Sequence, residues 1–382
     1  MTQSQSLNGV APGLDNVVAA ETRLSRPDGQ KGELIIAGYA VEELAGRATF
    51  EEVVYLLWQG VRPTSTQLNT FRAELAALRN VPAAALDLLA AAAREERLTM
   101  DALRMAAGAV DLGLPATNEP LATARPILAR LPTLVAAYWR MKQGQEPVAP
   151  NPALSHAANY LYMLTGAEPD AAQVRGLETY LNTVVDHGLN ASTFAARVII
   201  ATETDLVSAV VGAIGALKGP RHGGAPGPAL DMVFDIGEAE RAEPYLRAKL
   251  ERKELLMGFG HRVYKVRDPR AEVLAQAAEK MYRASGDMAL YELAKHVEKT
   301  AVALLAEYKP GRNLQTNVEF YTALLLHGLE LDTELFTPTF AISRAAGWIA
   351  HCFEQQAAGR IIRPESKYVG EVGLKWGEVA QV

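Results

Sequence analysis

The chain of 382 residues carries 38 Lys and Arg against 44 Asp and Glu, a net charge of −6, and a single cysteine. That length allows two domains around a large core, while the acidic balance argues against nucleic acid or an anionic membrane as the main partner. One cysteine, Cys352, excludes an intrachain disulfide framework and fits a reducing compartment, and no apolar run reaches the roughly 18 residues of a membrane span.

The N-terminal stretch MTQSQSLNGVAPG is polar, without a charged n-region or an apolar h-region. It predicts a loose segment over residues 1–13, no secretory signal, and a cytoplasmic protein. From Thr22 to Tyr39, Gly29, Gly32 and Gly38 interrupt short apolar pieces such as ELII, predicting a small hairpin or two short strands. Beyond that the period is helical almost throughout. AVEELAG, FEEVVYLLWQG, TQLNTFRAELAALRN and AAALDLLAAAAREE repeat apolar residues every three or four positions, as do MDALRMAAGAVDLG, TARPILARLPTLVAAYWRMKQG and SHAANYLYMLTG. Abundant alanine favours helix and lets helices approach closely. Glycine and proline fall mostly between these stretches, where helices stop. KGPRHGGAPGP, residues 218–228, breaks the rhythm completely and marks a domain boundary near 219.

Seven histidines occur, and three have suggestive company. His222 lies among Gly219, Gly223, Gly224 and Gly227, where missing Cβ atoms let a ligand approach the main chain. His261, in MGFGHRVYKVRDPR, follows glycines and precedes Arg262, Lys265, Arg267 and Arg270, a pattern that suits an anionic ligand. His187, in VVDHGLNAST, ends an apolar helix beside the possible cap residues Asn190 and Ser192. Glu319 stands alone in the neutral stretch NVEFYTALL. A carboxylate there also suits the start of a helix. HExxH, CxxC and paired histidines at i, i+4 are absent, so no metal site is predicted. GAIGALKGP follows no parallel-strand pattern, which removes a dinucleotide fold, and no GxSxG elbow marks a nucleophile. Acid–base chemistry by histidine and carboxylate remains, with arginines to hold carboxylates.

GPRHGGAP, MGFGHRVYKVRDPR and NVEFY, in this order, resemble the citrate synthase family, with DHGLNAST, FEEVVYLLWQGVRPT, AISRAAGWIAHCFEQ and IIRPESKYVG extending the likeness over almost the whole chain. The resemblance implies an all-α, two-domain fold: a large domain of 1–220 and 330–382, and a small domain of 221–329, with the active site in the cleft between them. It implies condensation of an acyl-CoA with oxaloacetate, no permanently bound cofactor, acetyl-CoA as co-substrate, and a homodimer, with a hexamer possible. His222 would stabilise the enolate, His261 would polarise the oxaloacetate ketone, and Glu319 would act as the base. His187, Arg270 and Arg344 would bind oxaloacetate together with Arg363 from the partner subunit. Gly258, Phe259 and Gly260 would meet coenzyme A, and Lys265 would contact a phosphate.

The chain also departs from the family's usual pattern. Glu319 stands where the family has aspartate, Thr322 and Ala323 where it often has Ser-Gly, Pro226 where it often has Asn, Ala37 in place of an arginine, and Leu98 and Thr99 in its HPM element. One extra methylene moves a carboxylate by about 1 Å, enough to cost roughly a hundredfold in rate unless the backbone compensates. Two alternatives follow: a 2-methylcitrate synthase that uses propionyl-CoA, or a low-activity paralogue that binds CoA or oxoacids in a regulatory role.

Overall fold

The computed structural model describes residues 11–14, 17–117, 119–223, 226–261, 263–374 and 376. Of the N-terminal segment expected to be loose, residues 1–10 lie outside the described residues, as do Gly224 and Arg262. The described chain is mainly α-helical with one small sheet, as the period predicts. Among the described residues, no helix is long and apolar enough to cross a membrane.

The sheet is a meander of β1 (Ser25–Asp28), β2 (Glu33–Ile36) and β3 (Tyr39–Ala40), antiparallel throughout and one strand larger than a simple hairpin. Asp28 builds its first turn: its carboxylate accepts the amides of Gln30 and Lys31 at 3.1 and 3.0 Å. A side chain at Gly29 would collide with the Val263 carbonyl, so only glycine lets this turn sit against the loop 263–266. The Lys265 amide donates to the Gly29 carbonyl at 2.8 Å and completes the contact.

Helix starts follow cap chemistry. Thr49 and Glu52 form a capping box for Phe50–Gln59, Asp170 and Gln173 another for Ala171–Val184, and Ser155 caps His156–Thr165. The core is organised around Phe336–Ala358, whose length is buried nearly throughout. It packs on Ala191–Ile200, Leu206–Leu217, Pro120–Lys142, Phe50–Gln59 and Ala171–Val184. The buried Pro120–Lys142 remains one helix despite Pro126 and Pro132 in its interior, where each proline removes a backbone donor. The AVEELAG stretch shrinks to a single turn, Val41–Leu44. KGPRHGGAPGP is not irregular to its end: a helix starts inside it at Pro226 and runs to Ile236, a position where proline's missing donor costs nothing.

Candidate active site

His187 follows the end of Ala171–Val184 and turns its ring toward the 261–264 loop. Its Nε2 lies 3.1 Å from the Tyr264 hydroxyl, and the His187 and His261 ring centroids are 5.9 Å apart. His261 Nδ1 accepts two amides, from Val263 at 3.0 Å and Tyr264 at 3.1 Å. Two donors on one ring nitrogen put the proton of the neutral imidazole on the other. His261 Nε2–H therefore faces Arg270 Nη2, itself only a donor, at 3.3 Å. Burial, and then the Arg270 charge, lower the His261 pKa to about 4, and the same two causes drive His187 well below the ordinary histidine value. Both rings are neutral at physiological pH.

Arg270 opens the helix Pro269–Ser285, and Asp268 is its cap. The fully buried Asp268 accepts Arg270 Nε at 3.0 Å and Nη2 at 2.8 Å, fixing the planar fork. Arg344, on the central helix, is only 1% exposed. Its Nε donates to the Val184 carbonyl at 2.7 Å and its guanidinium lies 4.6 Å from the Phe340 ring. Among the described residues no carboxylate lies within ion-pair distance of it. Burial lowers its pKa to about 10, against the attraction of Asp186, and Arg270 lowers it further. A buried guanidinium without a salt bridge is costly and implies an anionic guest.

His222 reaches the same region from the loop after Leu206–Leu217. The Ser192 amide, in the first turn of Ala191–Ile200, donates to His222 Nε2 at 3.3 Å, with the Ser192 hydroxyl 2.8 Å away. Nε2 is thus the acceptor, and Nδ1–H is left as a donor. Burial first, then Arg344, bring the His222 pKa to about 4. Thr337 donates to the Gly223 carbonyl at 2.7 Å and ties this loop to the central helix.

Glu319 sits in the first turn of Val318–Gly328, where the cap Asn317 accepts its amide at 3.0 Å. The turn is braced from two sides. Asn317 donates from its amide to the Gly258 carbonyl at 3.0 Å and from its side chain to the Gly260 carbonyl at 2.9 Å, and the Val318 amide donates to Asp268 at 3.2 Å. Gly258 has φ +85° and its α-carbon faces Phe320 so closely that any side chain would clash. The Glu319 carboxylate makes no hydrogen bond or ion pair among the described residues. Burial raises its pKa to about 7; Arg270 pulls it down and Asp268 pushes it up. It is a desolvated, poised carboxylate within the field of Arg270, a state suited to taking up a proton near neutral pH.

Of the residues singled out in the sequence, His187, His222, His261, Arg270, Glu319 and Arg344 converge. Gly258 and Gly260 spend backbone groups on bracing the Glu319 turn. Lys265 is exposed, its backbone tied to Gly29 and to Asn313. Arg363 lies exposed in the extended segment after the central helix. Sequence reading missed Tyr264, Asp268 and Asp186, and took Ser192 for a possible cap where the cap is Asn190 and Ser192 holds His222. Asp268 alone left a local signal, an Asp-Pro pair in the cap and first helical positions.

A model of the family described as "Citrate synthase, C-terminal domain" matches residues 13–365. The citrate synthase of Haloferax volcanii is 40% identical over 376 residues, covering 96% of this chain and 97% of its own length. The 2-methylcitrate synthase of Mycobacterium tuberculosis is 38% identical over 364 residues, covering 94% and 91%. Among solved structures, citrate synthase from Pyrobaculum aerophilum superposes with a TM-score of 0.87 at 36% identity, covering 96% of this chain and 94% of that one. A ternary complex of carboxymethyl coenzyme A and oxaloacetate with citrate synthase from Thermoplasma acidophilum gives 0.86 at 28% identity, covering 97% and 99%.

Proposed function

Because this chain belongs to the citrate synthase family and is an acyltransferase of that type, we propose that its converging side chains condense acetyl-CoA with oxaloacetate. Glu319 takes a proton from the methyl carbon of the thioester, and the electron pair left behind moves onto the thioester oxygen. His222 Nδ1–H donates to that oxygen and stabilises the enolate. The enolate carbon attacks the oxaloacetate ketone as the thioester C=O re-forms. The ketone oxygen, hydrogen-bonded by His261 Nε2–H, takes the negative charge and one proton to become the hydroxyl, and the proton held by Glu319 returns to solvent, so the step balances. Water then cleaves the thioester, giving citrate and the free thiol of coenzyme A.

The observation that carries this reading is the set of donors left facing one another. His261 Nε2–H and Arg270 Nη2, both donors, are 3.3 Å apart; Asp268 occupies one face of the Arg270 fork, and Arg344 is buried with no carboxylate in ion-pair distance among the described residues. A dicarboxylate with a ketone supplies the missing acceptors: its carboxylates for the two guanidinium groups, its ketone oxygen for His261. His187 shapes the wall of this pocket through Tyr264. The loop Gly258–Gly260 and Lys265 fit the approach of coenzyme A.

The small domain, 221–329, closes over the rest of the chain to exclude water, and the enzyme works as a homodimer in which each subunit supplies Arg363 to its partner. Supporting this, Arg363 is exposed and makes no contact with the described site residues of its own chain, and apolar Val369 and Val372 beyond it are 88% and 83% exposed. The test is release of thiol from acetyl-CoA in the presence of oxaloacetate. Release that is abolished in Glu319→Gln supports the reading, and no release from the unaltered protein sinks it. Because one curated relative is a 2-methylcitrate synthase, propionyl-CoA is the second donor to measure; one methylene changes kcat/KM by only about 10–200-fold.

A further inference from the structure

Outside the site itself, one buried carboxylate gathers donors from both of its limbs. Glu298 lies on the helix Ala289–Tyr308, which contributes no residue to the pocket described above, and is 7% exposed. Its Oε1 accepts the Thr316 hydroxyl at 2.8 Å and pairs with Arg267 Nη2 at 3.1 Å. Its Oε2 accepts the Tyr321 hydroxyl at 2.5 Å. Burial first, and then the Glu298 charge, raise the Tyr321 pKa, so this hydroxyl keeps its proton and donates.

The three donors are placed with consequence. Thr316 precedes Glu319 by one turn of chain and Tyr321 follows it in the same first turn of helix, so Glu298 grips the base-bearing segment on both sides. Arg267 belongs to the other limb, immediately before Asp268 and the substrate-facing Arg270. Its guanidinium also lies 5.9 Å from the Tyr321 ring and pairs with Glu272 at 3.3 Å. One carboxylate therefore joins the arm that holds the oxoacid to the turn that holds the base.

We propose that Glu298 is a positioning residue for proton abstraction, setting the distance between the Glu319 turn and the Arg267–Arg270 arm; this rests on the reading of Glu319 as the base. The need follows from Glu319 itself. Its side chain has one more rotatable bond than an aspartate, so its carboxylate keeps a productive height only if the backbone beneath it is fixed. Asn317, Asp268 and the Gly258–Gly260 loop anchor the main chain of that turn, and Glu298 anchors the side chains on either side of Glu319.

Glu298→Gln keeps the volume and removes the charge and one acceptor. Two rates are to be measured: thiol release, and exchange of the acetyl-CoA methyl hydrogens with deuterated water beside a non-condensing oxaloacetate analogue. Exchange and kcat are expected to fall together, by about 10–100-fold, with KM for oxaloacetate unchanged because Arg270 keeps its Asp268 brace. Tyr321→Phe removes one arm of the grip and is expected to lose less, and the double variant is expected to be no worse than Glu298→Gln alone, the mark of two groups acting through one contact. A folded Glu298→Gln with normal exchange, or one that loses oxaloacetate affinity while exchange persists, overturns the proposal. If that variant does not fold, normal exchange in Tyr321→Phe overturns it equally. Intact exchange in Glu319→Gln instead removes the base assignment itself, whatever Glu298 does.

Discussion

Glu319 carries one methylene more than the aspartate usual at this place in the family. The carboxylate is desolvated, has no ion pair among the described residues, and feels the charge of Arg270. Its raised pKa, about 7, means that the protonated, inactive form dominates below that pH. The value of kcat/KM for oxaloacetate is therefore expected to rise about tenfold per unit up to pH 7 and to level off above it, a profile readable from thiol release at oxaloacetate well below its KM. Glu319→Asp, pulled back by about 1 Å, is expected to lose activity by roughly tenfold to a hundredfold rather than gain it; a gain would mean that the backbone sits where an aspartate belongs. The three histidines, the two arginines and Glu319 were legible because each lies inside a continuous motif. Their partners were not. Tyr264 meets His187 across 77 residues and Ser192 meets His222 across 30, and no local pattern announces a contact made by folding.

At the scale of elements, helical period and cap residues made most of the fold legible, while the third strand and the start at Pro226 depended on packing that no period records. The central helix Phe336–Ala358 illustrates the limit. Gly347 reads as a weak point in a helix, and alanine there would ordinarily stabilise by about 1 kcal/mol. Here a Cβ at 347 would lie 2.3 Å from the Val185 carbonyl and 3.1 Å from Asp186 Oδ1. Asp186 accepts His351 Nε2 at 3.1 Å and the Ser25 hydroxyl, and so fixes the segment that presents His187. Gly347→Ala is expected to destabilise by about 1–3 kcal/mol and to weaken oxaloacetate binding, checked by denaturant unfolding and KM. A second element-level effect lies on Ala171–Val184, where burial raises the Glu178 pKa to about 7, opposed by Arg175 and assisted by Glu51. In the unfolded chain this carboxyl ionises near 4.5, so its contribution to stability is present below that pH and is lost as pH rises through 7. Glu178→Gln is expected to flatten the fall of Tm between pH 5 and 8.

At the scale of the whole molecule, Arg363, proposed to complete the partner's site, makes the assembly part of the catalyst. Removing residues 360–382 leaves every described core helix intact, yet it is expected to abolish thiol release while leaving the helical circular dichroism signal unchanged. Mixing subunits that carry Arg363→Ala with subunits that carry His261→Ala is expected to restore part of the activity, since one of the two hybrid sites then holds both wild-type residues. Arg344 has a further consequence at this scale. A cation enclosed by the fold with no ion pair among the described residues leaves the protein's charge unbalanced there, and on the proposed reading the substrate supplies the balance. Ligand at a hundred times its Kd adds about 2.7 kcal/mol to the folded state, so oxaloacetate is expected to raise Tm and slow digestion by protease, an effect Arg344→Leu should abolish. The lifetime of the protein in a cell would then follow the supply of the oxoacid it consumes.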